Sequence, residues 1–237
     1  MGKIIVANWK ANPSTLAEAQ ELFRAEVIEA AKYENVQTVI CPPFVFIEEL
    51  AKINDANLGA QDVLTFKNFS VSHVLVGHSD RRYKIGETDD VINEKIKAVL
   101  EAGVTPVLLV GERERNDDRR EALEKQLSAD LEGLDSGQIS KILIAYEPVW
   151  AISTTPGAEP DTPENTLGAI KIISDFLSTN YQLPTTNCLY GGSVTEKNVA
   201  DFLSHPEISG AVIGGASLRK DEFAEMLTIV SKINENY

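Results

Sequence analysis

The chain has 237 residues, of which 43% are hydrophobic and 24% are charged, and its formal net charge is −14. This is the composition of a globular protein with enough apolar side chains for a sizeable core, in one or two domains. The negative charge disfavours binding to nucleic acid or to an anionic membrane, so an anionic substrate needs a local positive site.

Strand-like and helix-like segments alternate along the whole chain. Short apolar runs predict eight strands, at residues 4–7, 36–41, 57–60, 74–77, 104–110, 142–145, 186–190 and 211–213. After the first strand, Ser14 is a candidate cap for a helix with one apolar face, formed by Leu16, Ala19, Phe23 and Val27. Further helices are predicted at residues 44–53, 87–102, 117–131, 163–177, 195–203 and 222–233.

The connection between the third and fourth predicted strands is unusually short. Residues 61–73 contain no helical pattern of any length, although a parallel crossover usually holds a helix. We therefore predict a tight loop with at most one turn of helix, at residues 69–72. Phe66, Phe69 and Val71 are expected to cover the barrel wall that a helix would otherwise cover.

Apolar strands that alternate with helices favour a parallel sheet covered by helices. Eight such units predict an α/β fold, the (β/α)8 barrel, with seven full outer helices and the helix between strands 3 and 4 missing or reduced to a turn. The sequence shows no linker or break in composition, so residues 1–237 are expected to form one domain. A doubly wound sheet is the alternative, but Asn8-Trp9-Lys10 stand where its glycine-rich fingerprint would follow the first strand.

Uncommon polar residues follow several of the predicted strands, where the chemistry of such barrels is located. Asn8 and Lys10 follow strand 1, His78 follows strand 4 and Glu147 follows strand 6. A lone lysine is most often a solvated surface residue, and a lone histidine is often a structural one. Glu147 carries more weight, because it ends the apolar run ILIAYEPVW, whereas surface glutamates usually lie in polar helices.

Glycines follow the last two predicted strands. Gly191, Gly192 and Ser193 follow strand 7, and Gly214 and Gly215 follow strand 8. Either group could be a simple turn. However, backbone N–H groups after strands 7 and 8 form the usual phosphate site of these barrels, and glycine lets the backbone approach the phosphate closely.

Other features of the sequence have ordinary explanations. The sequence contains no run of 18 apolar residues, so no membrane span is predicted. The start, MGKIIVANWKAN, lacks the layout of a signal peptide, and a cytoplasmic location is therefore expected. Cys41 and Cys188 show no metal-binding spacing and predict no disulfide framework. His73 and His205 receive no role, and the charge-rich run 112–124 predicts a solvated helix face.

Taken together, the motifs resemble those of one family, the triosephosphate isomerases. The matching segments, in the family's order, are NWK at 8–10, CPP at 41–43, GAQ at 59–61, GHS followed by RR at 77–82, AYEPVWAI at 145–152, YGGSV at 190–194 and GGASL at 214–218. The resemblance covers nearly the whole chain. It implies interconversion of dihydroxyacetone phosphate and D-glyceraldehyde 3-phosphate through an enediolate, in glycolysis and gluconeogenesis, with no metal or organic cofactor.

The resemblance also implies roles for individual residues, which are the roles known for this family. Glu147 is the base that moves a proton between two carbons, and His78 is the neutral electrophile that polarises the carbonyl and passes protons between the oxygens. Lys10 and Asn8 face the enediolate. Backbone donors for the substrate phosphate come from the loops after strands 6, 7 and 8, at Ser153, Ser193, Gly214 and Gly215.

The lid after strand 6 departs from the family pattern. The chain reads STTPGAEPDTPEN where a short Gly-Thr-Gly segment is usual, so the loop at residues 153–162 is a few residues longer. Ser153 can still offer its N–H to phosphate, but Thr155 fits poorly if a positive φ is needed there. Pro156 and Pro160 are expected to stiffen the loop, altering how fast it closes without abolishing activity.

Two side chains near the predicted site also differ from the family. Asp80 stands where a glutamate usually follows GHS, and its shorter side chain predicts that a partner of Lys10 is lost or shifted. Leu109 stands where a cysteine is usual, and it is expected to fill apolar space.

The largest departure is the short connection at residues 61–73. In the family this stretch is more than a dozen residues longer, inserts beside the neighbouring subunit's active site, and buttresses the loop with the catalytic lysine. Its shortening predicts a monomer or a weak, atypical homodimer. A non-catalytic barrel that binds phosphorylated ligands or a protein partner is the alternative function. Another phosphosugar isomerase or an aldolase on the same fold is a weaker alternative. The absence of a Schiff-base lysine at an inner strand position argues against the aldolase.

Overall fold

The computed structural model describes residues 2–63, 71–183 and 187–235. Within them, eight parallel strands form one sheet in the order β2-β1-β8-β7-β6-β5-β4-β3. The strands are β1 (Ile4–Asn8), β2 (Gln37–Cys41), β3 (Gly59–Ala60), β4 (His73–Val76), β5 (Thr105–Val110), β6 (Leu143–Tyr146), β7 (Cys188–Tyr190) and β8 (Ile208–Ile213). The predicted strands are all present, although β3 is shorter than predicted and β8 begins three residues earlier.

The sheet is nearly closed into a barrel. The two edge strands, β2 and β3, approach each other through a parallel bridge between Ile40 and Leu58, where the N–H of Ile40 donates to the carbonyl of Asn57 at 2.7 Å. Alternate strand residues point inward and form a small inner core, and the others pack against the helices in a larger outer core. Leu109 lies in the inner core, fully buried, as an apolar filler should. The (β/α)8 prediction is therefore confirmed.

Helices cover the outside of the barrel. They are α1 (Leu16–Ala30), α2 (Ile47–Ala51), α3 (Asp89–Glu101), α4 (Arg119–Asp130), α5 (Ser136–Ile139), α6 (Pro163–Tyr181), α7 (Val199–Leu203) and α8 (Lys220–Asn234). The prediction of seven full helices was wrong in length, because α2 and α7 have only five residues each. The predicted cap of α1 was wrong by one residue: Thr15 accepts the N–H of Glu18, whose side chain bonds back to the N–H of Thr15.

The connection between β3 and β4 is described only at its two ends. The end that precedes β4 is hydrogen-bonded to the residue before β3: both the N–H and the hydroxyl of Ser72 donate to the carbonyl of Leu58, at 2.9 and 3.1 Å. Val71 packs into the outer core, as predicted. Phe66, Phe69 and part of the predicted turn at 69–72 lie outside the described residues.

Candidate active site

The carboxyl ends of the strands enclose a cavity of about 290 Å³. All eight residues predicted to catalyse or to bind substrate line this one cavity: Asn8, Lys10, His78, Glu147, Ser153, Ser193, Gly214 and Gly215. The ninth predicted residue, Asp80, lines an adjoining cavity that shares Asn8, Lys10 and His78 with the first. The structure thus brings together residues from the ends of β1, β4, β6, β7 and β8 that are far apart in the sequence.

Lys10 is the second residue after β1 and has a backbone φ of +52°. A residue with a Cβ atom in this left-handed region is uncommon and strained by about 1–2 kcal/mol. The contacts of Lys10 compensate for that strain. The side chain of Asn8 accepts the Lys10 N–H at 3.0 Å, and the side chain of Gln61 donates to the Lys10 carbonyl at 2.7 Å. The sequence prediction gave Gln61 no role, although Gln61 directly follows β3 at the same rim of the barrel.

The Lys10 ammonium keeps an acidic partner in spite of the shorter side chain at position 80. Oδ2 of Asp80 lies 3.5 Å from Nζ of Lys10, so the ion pair is long but not lost. Oδ1 of Asp80 contacts Nζ of Lys84 at 2.6 Å. Burial raises the pKa of Asp80, but the hydrogen bond from Lys84 and the charge of Lys10 outweigh it, and the pKa lies below its ordinary value.

His78 and Glu147 face each other across the floor of the cavity, and both are buried. Nε2 of His78 lies 3.1 Å from Oε1 of Glu147. The other carboxylate oxygen, Oε2, accepts the N–H of Ser79 at 2.8 Å. Both oxygens of the carboxylate are therefore occupied in this state, and the imidazole holds one of them.

The tautomer of His78 follows from its second ring nitrogen. The N–H of Asp80 points at Nδ1 with an N···N distance of 3.1 Å, so Nδ1 acts as an acceptor. The Asp80 carboxylate oxygen is also near Nδ1, at 3.7 Å, but that contact is longer than a hydrogen bond, and we give the N–H contact more weight. We therefore assign a neutral ring with its proton on Nε2, directed into the cavity. A turn of π-helix at Asp80–Ile85 begins here and aims its N–H groups at the carbonyl of His78.

The opposite end of the cavity is built from backbone. Within the described part of the chain, the N–H groups of Ser193, Gly214 and Gly215 have no hydrogen-bond acceptor. Gly192 is required by space, since a Cβ atom there would lie 2.2 Å from the hydroxyl of Tyr190. Free N–H groups of this kind, placed after β7 and β8, suit an anion such as phosphate.

The loop after β6, which the sequence predicts to be the lid, lines this end of the cavity. The N–H of Ser153 donates to the Ser193 hydroxyl at 2.8 Å, and that hydroxyl donates to the carbonyl of Ala151 at 2.8 Å. Thr155 does not adopt a positive φ, so the predicted conflict does not arise. The left-handed residue of the lid is instead Gly157, with φ +75° and open space around it.

Glu112 contradicts the prediction of a solvated face for residues 112–124. Its side chain is 1% exposed. Oε1 accepts from the hydroxyl of Tyr146 at 2.7 Å, from Nε1 of Trp150 at 3.0 Å and from Nε of Arg119 at 3.4 Å. Tyr146 precedes Glu147 in the chain, and Trp150 lies in the 3₁₀ turn at the base of the lid. Glu112 therefore anchors the segment that carries the carboxylate of the site.

The charges around the site are of both signs. Cationic side chains on the cavity wall include Lys10 and Arg219, and the latter donates to the carbonyl of Gly215 at 3.2 Å.

Among residues 2–63, 71–183 and 187–235, no group of three or more His, Cys, Asp or Glu side chains is arranged to hold a metal ion. Over the same residues, no helix is long and apolar enough to cross a membrane.

The barrel, the imidazole–carboxylate pair and the backbone-lined end of the cavity define an enzyme of the phosphosugar-isomerase class. Comparison with known proteins identifies the family. A family sequence model described as triosephosphate isomerase matches residues 3–68 and 63–230, and the chain belongs to that family.

Relatives of similar length support the assignment along almost the whole chain. A protein of Dehalococcoides mccartyi named triosephosphate isomerase is 38% identical over 243 residues, covering 94% of each chain. One of the same name from Dictyoglomus thermophilum is 40% identical, over 93% of this chain and 96% of its own. Another, from Idiomarina loihiensis, is 36% identical, over 93% of this chain and 94% of its own.

Proposed function

We propose that this barrel is a triose-phosphate isomerase that interconverts dihydroxyacetone phosphate and D-glyceraldehyde 3-phosphate. The observation that carries the proposal is the meeting of eight predicted residues in one cavity, with His78 Nε2 3.1 Å from Glu147 Oε1. Membership of the triosephosphate isomerase family supports the same reaction and substrate. The residue roles below follow from the geometry and from the chemistry of the reaction.

Glu147 is the base. It takes a proton from C1 of dihydroxyacetone phosphate, which leaves an enediolate, and returns a proton to C2 to give the aldehyde. The carboxylate is buried, so water does not compete strongly with the substrate for it. Its Oε1 is held by His78 in the resting state, and a substrate carbonyl that takes the Nε2 proton as its hydrogen-bond partner releases this oxygen for the C–H bond.

His78 is the electrophile, and it moves protons between the two substrate oxygens. A neutral imidazole with its proton on Nε2 can donate to the carbonyl oxygen, give that proton to the enediolate, and recover one from the neighbouring hydroxyl. Asp80 holds this tautomer through its backbone N–H. Lys10, with Asn8 beside it, places positive charge near the developing oxyanion, where a fixed donor is most effective.

The phosphate is bound by the backbone of the last two loops. The N–H groups of Ser193, Gly214 and Gly215 supply the donors, and Lys10 supplies local positive charge in a protein whose net charge is −14. In the resting state the N–H of Ser153 is bonded to Ser193, so a role for Ser153 in phosphate binding requires the lid to shift by that one bond.

A coupled isomerase assay on the wild type and on Glu147→Ala tests the function. The wild type should turn over both triose phosphates, and the variant should lose at least about 10³-fold in kcat, since its base is gone. Glu114→Ala, at an exposed site outside the cavity, is the matched control. A wild type no more active than Glu147→Ala would leave a non-catalytic phosphate-binding barrel as the explanation.

We further propose that the enzyme is a monomer or a weak, atypical homodimer located in the cytoplasm. The two matches to the family model meet within residues 63–68, which is consistent with a family segment missing from that point. The net charge of −14 opposes self-association, whereas the exposed Phe44 and Val45 offer a small apolar surface for a weak contact. Sedimentation at micromolar concentration tests this, and a tight dimer would contradict it. Cell fractionation tests the location.

A further inference from the structure

Lys10 depends on its neighbours for its position, because its left-handed backbone is disfavoured and persists only where contacts over-determine it. Two of those contacts come from outside β1. Gln61 holds the backbone, donating to the Lys10 carbonyl at 2.7 Å and also to the Cys41 carbonyl at 2.9 Å. Asp80 pairs with the ammonium at 3.5 Å. The geometry of Lys10 therefore depends on how firmly Gln61 and Asp80 are held.

An ion pair joins the residues that follow these two contacts in the chain. Asp62 follows Gln61, and Arg81 follows Asp80. Oδ2 of Asp62 lies 2.5 Å from Nη2 of Arg81. Gln61 and Asp80 thus contact Lys10, and their neighbours Asp62 and Arg81 form an ion pair with each other. This ion pair joins the end of β3 to the loop after β4.

Two further side chains complete a compact group that we call the Asp62 cluster, formed by Asp62, Arg81, Glu87 and Lys95. Nζ of Lys95 lies 2.5 Å from Oδ1 of Asp62 and 2.6 Å from Oε1 of Glu87. Nε of Arg81 donates to the same Glu87 oxygen at 2.7 Å. Three of the four side chains are mostly shielded, with exposures of 8% for Glu87, 14% for Lys95 and 15% for Asp62, while Arg81 is 31% exposed. Such a closed and shielded network holds geometry better than a single surface pair.

We propose that the Asp62 cluster positions Lys10 for catalysis, acting through Gln61 and Asp80. Its members line the adjoining cavity or stand behind it, so they are positioning residues and not catalytic ones. Asp62 is the second residue after β3, at the start of the β3–β4 connection. In the proposal, residues of the same chain therefore hold Lys10 in position, and a neighbouring subunit is not needed for this. This inference rests on the proposed isomerase function, because Lys10 matters only if the cavity uses it.

The first test compares the same conservative change at two aspartates that each pair with an arginine of the loop after β4. Asp62→Asn removes the charge that ties Gln61 to Asp80. Asp89→Asn is the matched control, because Asp89 pairs with the next arginine, Arg82, at 2.6 Å and does not contact the residues that hold Lys10. We expect Asp62→Asn to lower kcat/KM by about 10-fold, with KM raised, and Asp89→Asn to change it less than about 2-fold. Equal effects of the two changes in a folded, active enzyme would overturn the proposal.

A double-mutant cycle separates positioning from general damage. If Asp62 acts through Lys10, then Asp62→Asn should have little further effect in a Lys10→Ala background, less than about 2-fold. A full loss in that background would also overturn the proposal. If Asp62→Asn fails to fold, Lys95→Gln is used instead, because it removes the ammonium that contacts both Asp62 and Glu87. The double-mutant cycle with Lys10→Ala is then repeated with Lys95→Gln.

Titration with inorganic phosphate gives a readout that does not need turnover. Loosening Lys10 should weaken phosphate binding by about 3-fold or more in Asp62→Asn but not in Asp89→Asn. If the wild type has no isomerase activity, the proposed function fails, and this titration still decides the positioning role. If the wild type is active and both variants bind phosphate equally well, the positioning role fails alone.

Discussion

Nε2 of His78 lies 3.1 Å from Oε1 of Glu147, while Nδ1 of the same ring accepts the N–H of Asp80. One neutral imidazole therefore does two things in the resting site. It holds one oxygen of the Glu147 carboxylate, which we propose as the base, and its ring proton lies on Nε2, the nitrogen directed into the cavity. In the proposed mechanism, substrate binding and release of the base are coupled, because the substrate carbonyl and Oε1 compete for the same N–H.

His78→Gln should remove proton transfer between the substrate oxygens while retaining a side-chain donor. We expect kcat to fall by about 10²–10⁴-fold, the usual contribution of a general acid–base group, with a much smaller change in KM. Steady-state kinetics in both directions measures this, and His205→Gln is the control. Nitrogen NMR of the wild-type ring should show the proton on Nε2. A proton on Nδ1 or an unchanged kcat would contradict the assignment.

Glu112→Ala should destabilise the protein strongly. The change leaves the buried donors of Tyr146 and Trp150 without their acceptor, and it also removes a partner of the partly exposed Arg119. We expect the free energy of unfolding to fall by about 3 kcal/mol, measured by urea denaturation, as for other broken buried ionic networks. Glu112→Gln keeps an acceptor and should lose less. An Ala variant as stable as the exposed control Glu114→Ala would show that the network is not stabilising.

The strands and the main site residues were predictable for a simple reason. In a parallel barrel, each apolar run ends at the same rim, so a polar residue just after a strand must lie near the others. Lys10, His78 and Glu147 follow that rule, and the structure gathers them in one cavity. Glu112 follows it too, two residues after β5, but the many charges after it made it look like part of a solvated helix.

Details that depend on backbone angles or on competing caps could not be predicted from residue types in the same way. The left-handed residue of the loop after β6 is Gly157 and not Thr155. Thr15 caps α1 in place of Ser14, although the Thr15–Glu18 spacing of a capping box was available in the sequence. The Asp62 cluster joins β3 to α3 across the connection, and no local pattern indicates such a long-range pairing.

His73 should make stability fall in mild acid. Burial lowers the pKa of His73 to about 4, and Lys3 lines the same cavity at the N-terminal end of the barrel. The unfolded chain binds the proton near its ordinary pKa of about 6.5, so it gains protons first as the pH falls. Between about pH 6.5 and 4, the free energy of unfolding of wild type should fall by on the order of 3 kcal/mol more than that of His73→Gln. Above that window, the two proteins should show the same pH dependence. Urea denaturation at several pH values measures this, and parallel pH profiles for the two proteins would contradict it.

Glu26 should change the pH dependence of stability in the opposite direction from His73, with stability lost as the pH rises. Its side chain is 1% exposed in α1, and both carboxylate oxygens face Nε1 of Trp9, at 3.2 and 3.1 Å. Burial raises the pKa of Glu26 well above its ordinary value, and the hydrogen bond from Trp9 only partly offsets this. A raised carboxyl pKa means that the folded state binds the proton more tightly than the unfolded state, so the stability it contributes is present in acid and is lost as the pH rises.

Glu26→Gln keeps an oxygen acceptor for Trp9 and removes the buried ionisation. The variant should therefore match wild type near pH 4, where both side chains are neutral, and exceed it at pH 8, where folding must bury a carboxylate or keep its proton. Thermal or urea unfolding of the two proteins at both pH values measures the difference. Glu29→Gln, one turn of α1 along and paired with Lys32 near the surface, is the control and should show no gain at pH 8. A Gln variant less stable than wild type at pH 8 would mean that the carboxylate is stabilised in the folded state by contacts beyond its bond to Trp9.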